Sequence, residues 1–134
     1  NLERLVDFGH TFSPVPEMKS LEDKNVTELA HGEAVFLDVV FTCCMGQVLG
    51  HTDRGFIAKI LNLGVTVGLP IDHPYFRDAM LLLESCNDAK RHRAGSVNLP
   101  IPRQLEDVIF LKNVNLTLIE ETIKVMQDMI NEQT

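Results

Sequence analysis

Between His31 and Leu49 the chain carries Val35, Leu37, Val39, Val40, Cys43, Met45 and Val48 with few breakers. These positions spread too widely around an axis for an exposed helix, so the pattern predicts a largely buried one, with Gly50 as its C-terminal stop. Asp38 then stands as an acid inside an apolar run, an arrangement that costs free energy unless the carboxylate is hydrogen-bonded. Thr52 and Asp53 supply an N-cap for a second helix, in which Phe56, Ile57, Ile60 and Leu61 recur at helical spacing before Gly64 ends it. The stretch "GLPIDHPYF" reads as a turn. From Pro74, a residue suited to the first helical position, a third helix is expected to run through Phe76, Met80, Leu81 and Leu83 to about Asn87.

The period changes in "SVNLPIPRQLEDVIFLKNV". Val97, Leu99 and Ile101 alternate, as do Val108 and Phe110, which predicts a small β-hairpin restricted to an edge by Pro100 and Pro102. The last segment returns to helix, with Thr117 as a candidate cap and Ile119, Ile123, Met126 and Ile130 as a core-facing stripe. The expected fold is mostly α with a small β-hairpin, one domain over residues 1–134.

Composition supports a folded chain, with 45% hydrophobic and 23% charged residues. The formal charge of −7, with no basic cluster beyond "KRHR" at Lys90–Arg93, argues against a nucleic-acid partner. Apolar runs such as Val39–Met45 are too short to cross a bilayer and no secretory signal opens the chain, so no membrane is expected and the reading is cytoplasmic. Cys43, Cys44 and Cys86 form an odd set without CxxC spacing and read as reduced, buried thiols. The start at Asn1, directly on a motif-rich segment, suggests a piece cut from something longer.

Two short cassettes carry the candidate chemistry. In "VDFGHTFSP" a glycine precedes His10, and in "LAHGEAV" a glycine follows His31; a glycine presents no side chain and leaves room for a close approach to each imidazole. Neutral imidazole is the commonest metal ligand, and Glu33 or Asp38 are placed to join the pair or orient it. Two histidines still fall short of the three protein ligands of a catalytic site. The alternative is ordinary: histidines that cap a helix or bond within a core. His51, beside a helix cap, and His73, in a proline-flanked turn, read as solvent-facing. "DAKRHRAG" gathers Lys90, Arg91, His92 and Arg93 into a cationic loop suited to one phosphate or carboxylate, or else into a solvated patch. No Walker loop, GxGxxG or Ser-His-Asp order is present.

The residues "RLVDFGHTFSP", then Glu17 and Met18, then "LAHGEAVFLD" resemble the C-terminal, metal-binding domain of the dehydroquinate synthase superfamily, in its sugar phosphate cyclase branch. Within that branch the nearest pattern is that of the 2-epi-5-epi-valiolone synthases, which cyclise sedoheptulose 7-phosphate. The resemblance is specific over residues 4–40. It implies that His10 and His31 are metal ligands, of Zn2+ or Co2+, and that the third ligand is a glutamate from a preceding domain. By the resemblance that N-terminal domain, which also holds NAD, is expected to be absent from this chain. Dehydroquinate synthase typically reads "LNxGHTxGHA", so Asp7 stands at an asparagine position, Pro14 at that of a second, substrate-binding histidine, and Asp38 replaces a small residue. The connection "VPEMKSLEDKNVTEL" carries a charged insert with room to loop out without moving the ligands.

By the same resemblance the activity is that of a carbon–oxygen lyase acting on phosphates: transient oxidation by NAD, loss of phosphate by β-elimination, reduction and aldol closure. Asp7, Lys90 and His92 are the implied catalytic residues, and with Pro14 they are the implied substrate contacts. Either Lys90 or His92 occupies the position of a phosphate- or substrate-contacting lysine. Asp7 and Pro14 together point to a sugar phosphate without a carboxylate. A homodimer is implied, and the piece alone is expected to be inactive. Competing readings are 3-dehydroquinate synthase, a desmethyl-4-deoxygadusol synthase-type cyclase and, from another class, a non-catalytic helical interaction module.

Overall fold

The computed structural model describes residues 10–92, 99–104, 107–111 and 114–133. Asp7, Gly9 and Arg93 lie outside them. Helix α1 spans Pro14–Glu22, α2 His31–Val48 and α3 Arg54–Val67; a 3-10 turn at Pro74–Arg77 precedes α4, Ala79–His92. Strands β1, Leu99–Gln104, and β2, Asp107–Leu111, pair antiparallel in the register Leu99↔Leu111 to Pro102↔Val108, with an irregularity before Gln104. Helix α5, Leu116–Gln133, closes the chain.

The centre is α2, which packs against α5, α3, α1 and β1. Leu37, Val40, Phe41, Cys43, Cys44 and Met45 are all fully buried, which is why its apolar positions cover the whole circumference. The three cysteines form no disulfide and are buried; burial pushes the Cys44 thiol up to about 12 and raises Cys43 as well, so both stay protonated. Phe12 packs edge-on to Phe41 at 4.9 Å, and Phe41 edge-on to Phe76 at 6.2 Å, an aromatic line through the core.

Several expected boundaries move, each for a local reason. Helix α3 does not stop at Gly64 but runs through it to Val67, and Gly68 ends it at φ +84°. Gly64 is needed for space instead: a Cβ there would run into the ring of Phe36 on α2. The helix expected from Pro74 is broken at Asp78, whose carboxylate accepts from the Leu81 N–H at 3.1 Å and starts α4 afresh. On α4, Met80 is exposed, while Leu81 and Leu82 are buried. Helix α4 also continues past Asn87, so Lys90, Arg91 and His92 form its last turn rather than a loop. Asn115, not Thr117, caps α5 through the Leu118 N–H at 2.9 Å. The buried face of α5 is consequently Ile119, Thr122, Met126, Met129 and Ile130, with Ile123 at its margin.

The connection between the cassettes does not loop out. Its first half is α1, and its second half is pinned: the Tyr75 hydroxyl donates to Asp23, and His73 bonds the Thr27 carbonyl through Nε2 at 2.7 Å. His73 Nδ1 accepts from the Tyr75 N–H at 3.1 Å, which leaves the proton on Nε2. His73 is therefore a buried tie and not solvent-facing.

Candidate functional site

His31 is the first residue of α2, and its position is set locally. Glu33 reaches back to the Ala30 N–H at 2.8 Å and satisfies one donor of the helix start. The imidazole is mostly exposed. Its Nδ1 lies 2.9 Å from Glu17 Oε1, a carboxylate presented by the first turn of α1. With Nδ1 protonated and bonded to the carboxylate, Nε2 carries the free lone pair, the arrangement that carboxylates impose on metal-binding histidines.

His10 reaches the same place from an irregular segment held by two distant anchors. On α2, Asp38 Oδ2 accepts from the N–H groups of Phe12 at 2.7 Å and Ser13 at 2.8 Å, while Oδ1 accepts from the Thr42 hydroxyl at 3.1 Å. On α4, the Ser85 hydroxyl donates to the Thr11 carbonyl at 3.1 Å and accepts from the Val15 N–H at 3.3 Å. Asp38 is fully buried; desolvation pushes its carboxyl up to about 6, against the opposing pull of the bonds from Phe12, Ser13 and Thr42. The Thr11 hydroxyl is buried with no hydrogen-bond partner among the described residues.

The result brings the two cassette histidines together, ring centroids 5.6 Å apart and planes inclined by 42°. Two imidazoles on one tetrahedral ion, each nitrogen about 2.0–2.1 Å from it, place their centroids roughly 5 Å apart. The separation of the two rings is of that order. Among the described residues no group of three His, Cys, Asp or Glu is assembled that could hold a metal by itself. Neither Glu33 nor Asp38 joins the pair: Glu33 caps its helix, and Asp38 acts on the backbone of the first cassette.

The other candidates are more scattered. Pro14 opens α1 at its first position and borders a groove of about 390 Å³ between α1 and α4, with Lys19, Glu84 and Asp88. Lys90 is exposed near the end of α4, Arg91 pairs with Asp88 at 3.0 Å, and His92 is the last residue of that helix. Two contributors had no role assigned from the sequence: Glu17, named only as part of the resemblance, and Ser85. Glu17 is one of several acids in the connection, and Ser85 is a small polar residue at the end of an apolar run; only their partners distinguish them.

Residues 1–92 match the 3-dehydroquinate synthase C-terminal family. The chain is 34% identical over 133 residues to a 2-epi-5-epi-valiolone synthase of Streptomyces albus, covering 99% of this chain and 31% of the relative. It is 29% identical to a 3-dehydroquinate synthase of Caldanaerobacter subterraneus, over 95% of this chain and 33% of that protein. Among solved structures it is similar to ValA, a 2-epi-5-epi-valiolone synthase of Streptomyces hygroscopicus with NAD+ and Zn2+ bound. The TM-score is 0.83 and the identity 32%, over 96% of this chain and 34% of that one. The chain thus spans about a third of the length of the relatives it matches. Among the described residues no helix is long and apolar enough to cross a membrane. The chain belongs to the 3-dehydroquinate synthase C-terminal family.

Proposed function

We propose that this chain is the metal- and substrate-binding part of a sugar phosphate cyclase that converts sedoheptulose 7-phosphate to 2-epi-5-epi-valiolone. The observation that carries the reading is the His10–His31 pair at 5.6 Å, with Glu17 on the far nitrogen of His31. Both imidazoles are ligands in this reading and must be neutral to donate a lone pair. A glutamate of an N-terminal domain completes the set, and the same domain holds NAD; in the proposed assembly two such proteins form a homodimer. When bound, the zinc or cobalt ion polarises a substrate hydroxyl, and NAD takes up and returns a hydride.

This chain's own share is binding and orientation. Glu17 fixes the tautomer and tilt of His31. Asp7 accepts from substrate hydroxyls and, being an anion, repels a substrate carboxylate; Pro14 withholds the donor that a carboxylate would use. Lys90 or His92, at the end of α4, supplies the charge for the phosphate group. The alternatives of the same class are 3-dehydroquinate synthase and a demethyl-4-deoxygadusol synthase, since the chain is also 27% identical to one from Trichormus variabilis.

The test is metal content by mass spectrometry on the full-length protein, wild type and His10→Ala/His31→Ala, followed by product analysis. We expect about one zinc or cobalt per chain, lost in the double variant, and turnover of sedoheptulose 7-phosphate but not of the carboxylate-bearing substrate of 3-dehydroquinate synthase. No metal in the wild type would sink the reading in favour of a non-catalytic module. Turnover of the carboxylate substrate alone would move the protein to the synthase side of the family.

A further inference from the structure

We propose that Asp38 is a positioning residue for the histidine pair: by binding the backbone of the first cassette it fixes His10 against His31. The inference rests on the metal reading of those two residues. His31 and Asp38 are seven residues apart on α2, close to two full turns, so they lie along one face of a single rigid element about 10 Å apart. That face meets the first cassette twice, at the imidazole of His10 and at the amides of Phe12 and Ser13.

Two successive N–H groups converge on one carboxylate oxygen, which sets the direction of the segment as well as its distance from α2. The Phe12 side chain is meanwhile locked in the core against Phe41. His10 lies only two residues from this clamp, so few backbone torsions remain through which its ring can drift. Without the carboxylate, two amides would be left without an acceptor in a dry interior, and the segment would have to move towards water to satisfy them. The donors are neutral, so one oxygen of a neutral carboxamide can serve both; the role demands an acceptor at this position, not a charge.

The experiment compares full-length wild type, Asp38→Ala and Asp38→Asn. Zinc affinity is measured by competition with a chromophoric chelator, and hydrogen exchange of the Phe12 and Ser13 amides is followed in the zinc-free protein. We expect Asp38→Ala to lose tenfold or more in zinc affinity and to unprotect both amides while α2 stays protected. Asp38→Asn should remain within about threefold of wild type on both readouts. Wild-type affinity in Asp38→Ala overturns the proposal, as does an Asp38→Asn variant that falls as far as alanine, because charge would then be the operative property. If Asp38→Ala does not fold, Asp38→Glu decides: its extra methylene displaces the acceptor, so a tenfold loss supports the proposal and unchanged affinity overturns it. A wild type that takes up no zinc, yet protects both amides only when Asp38 is present, removes the metal reading and leaves the clamp; unprotected amides in that sample remove both.

Discussion

The two cassettes deliver one histidine each to the same spot by opposite means. The second is built from its own neighbourhood: His31 opens an eighteen-residue helix, and the cap from Glu33 comes from three residues away. The first is an irregular segment held by Asp38, 25 and 26 residues on, and by Ser85, 70 and 74 residues on. A site whose parts are fixed over such different ranges responds unequally to damage. Local changes at the second cassette should cost a helix end, whereas remote changes should loosen the first cassette.

The largest expected effect comes from breaking the remote side at its apolar anchor. Phe12→Ala removes a fully buried ring from the line Phe12–Phe41–Phe76 and should destabilise the protein by about 3–5 kcal/mol. Denaturant unfolding of the full-length protein measures the loss, and a cost under about 1 kcal/mol would mean that hydrogen bonds alone hold the segment.

The next effect sharpens the comparison through pH. The folded carboxyl of Asp38 titrates near 6, above the ordinary 3.8, so between those values the folded state holds the proton more tightly than the unfolded one. Its contribution to stability is therefore full below about pH 4 and is lost as the pH rises through 6, by roughly 3 kcal/mol at most. Asp38→Asn does not titrate, so its stability should gain on that of wild type by up to this amount between pH 4 and 7. Parallel stability curves for the two proteins would show that the carboxyl is not desolvated as the structure has it.

The smallest effect lies on the local side. Glu33→Ala removes the bond to the Ala30 N–H on an exposed helix end and should cost about 1 kcal/mol, with the histidine spacing unchanged. A matching loss of zinc affinity would blur the distinction, since it would show that the second cassette also depends on more than its helix.

Much of the helical frame was legible in the sequence. The buried helix at His31–Val48 and its stop followed from all-round apolarity and Gly50, and the last helix from its stripe. Boundaries failed where a residue had a second use. Gly64 reads as a terminator but serves as clearance for Phe36. Pro74 reads as a helix start, but Asp78 supplies a better cap four residues later. His73 reads as a turn residue because its partner, the Thr27 carbonyl, is 46 residues away.

At the site, sequence determined which residues are available: His10 and His31 in their cassettes, and an acid at position 38 inside an apolar helix. Periodicity and capping act within a few residues, so they also fixed His31 at a helix start. Only the tertiary structure decided that His10 meets His31, that Glu17 rather than Glu33 turns its carboxylate to His31, and that Asp38 bonds amides and not a ligand. Those pairings join segments 14 to 26 residues apart, and a hydrogen bond across such a gap leaves no periodic trace in either partner. It exists only once burial of the core has brought the two segments face to face.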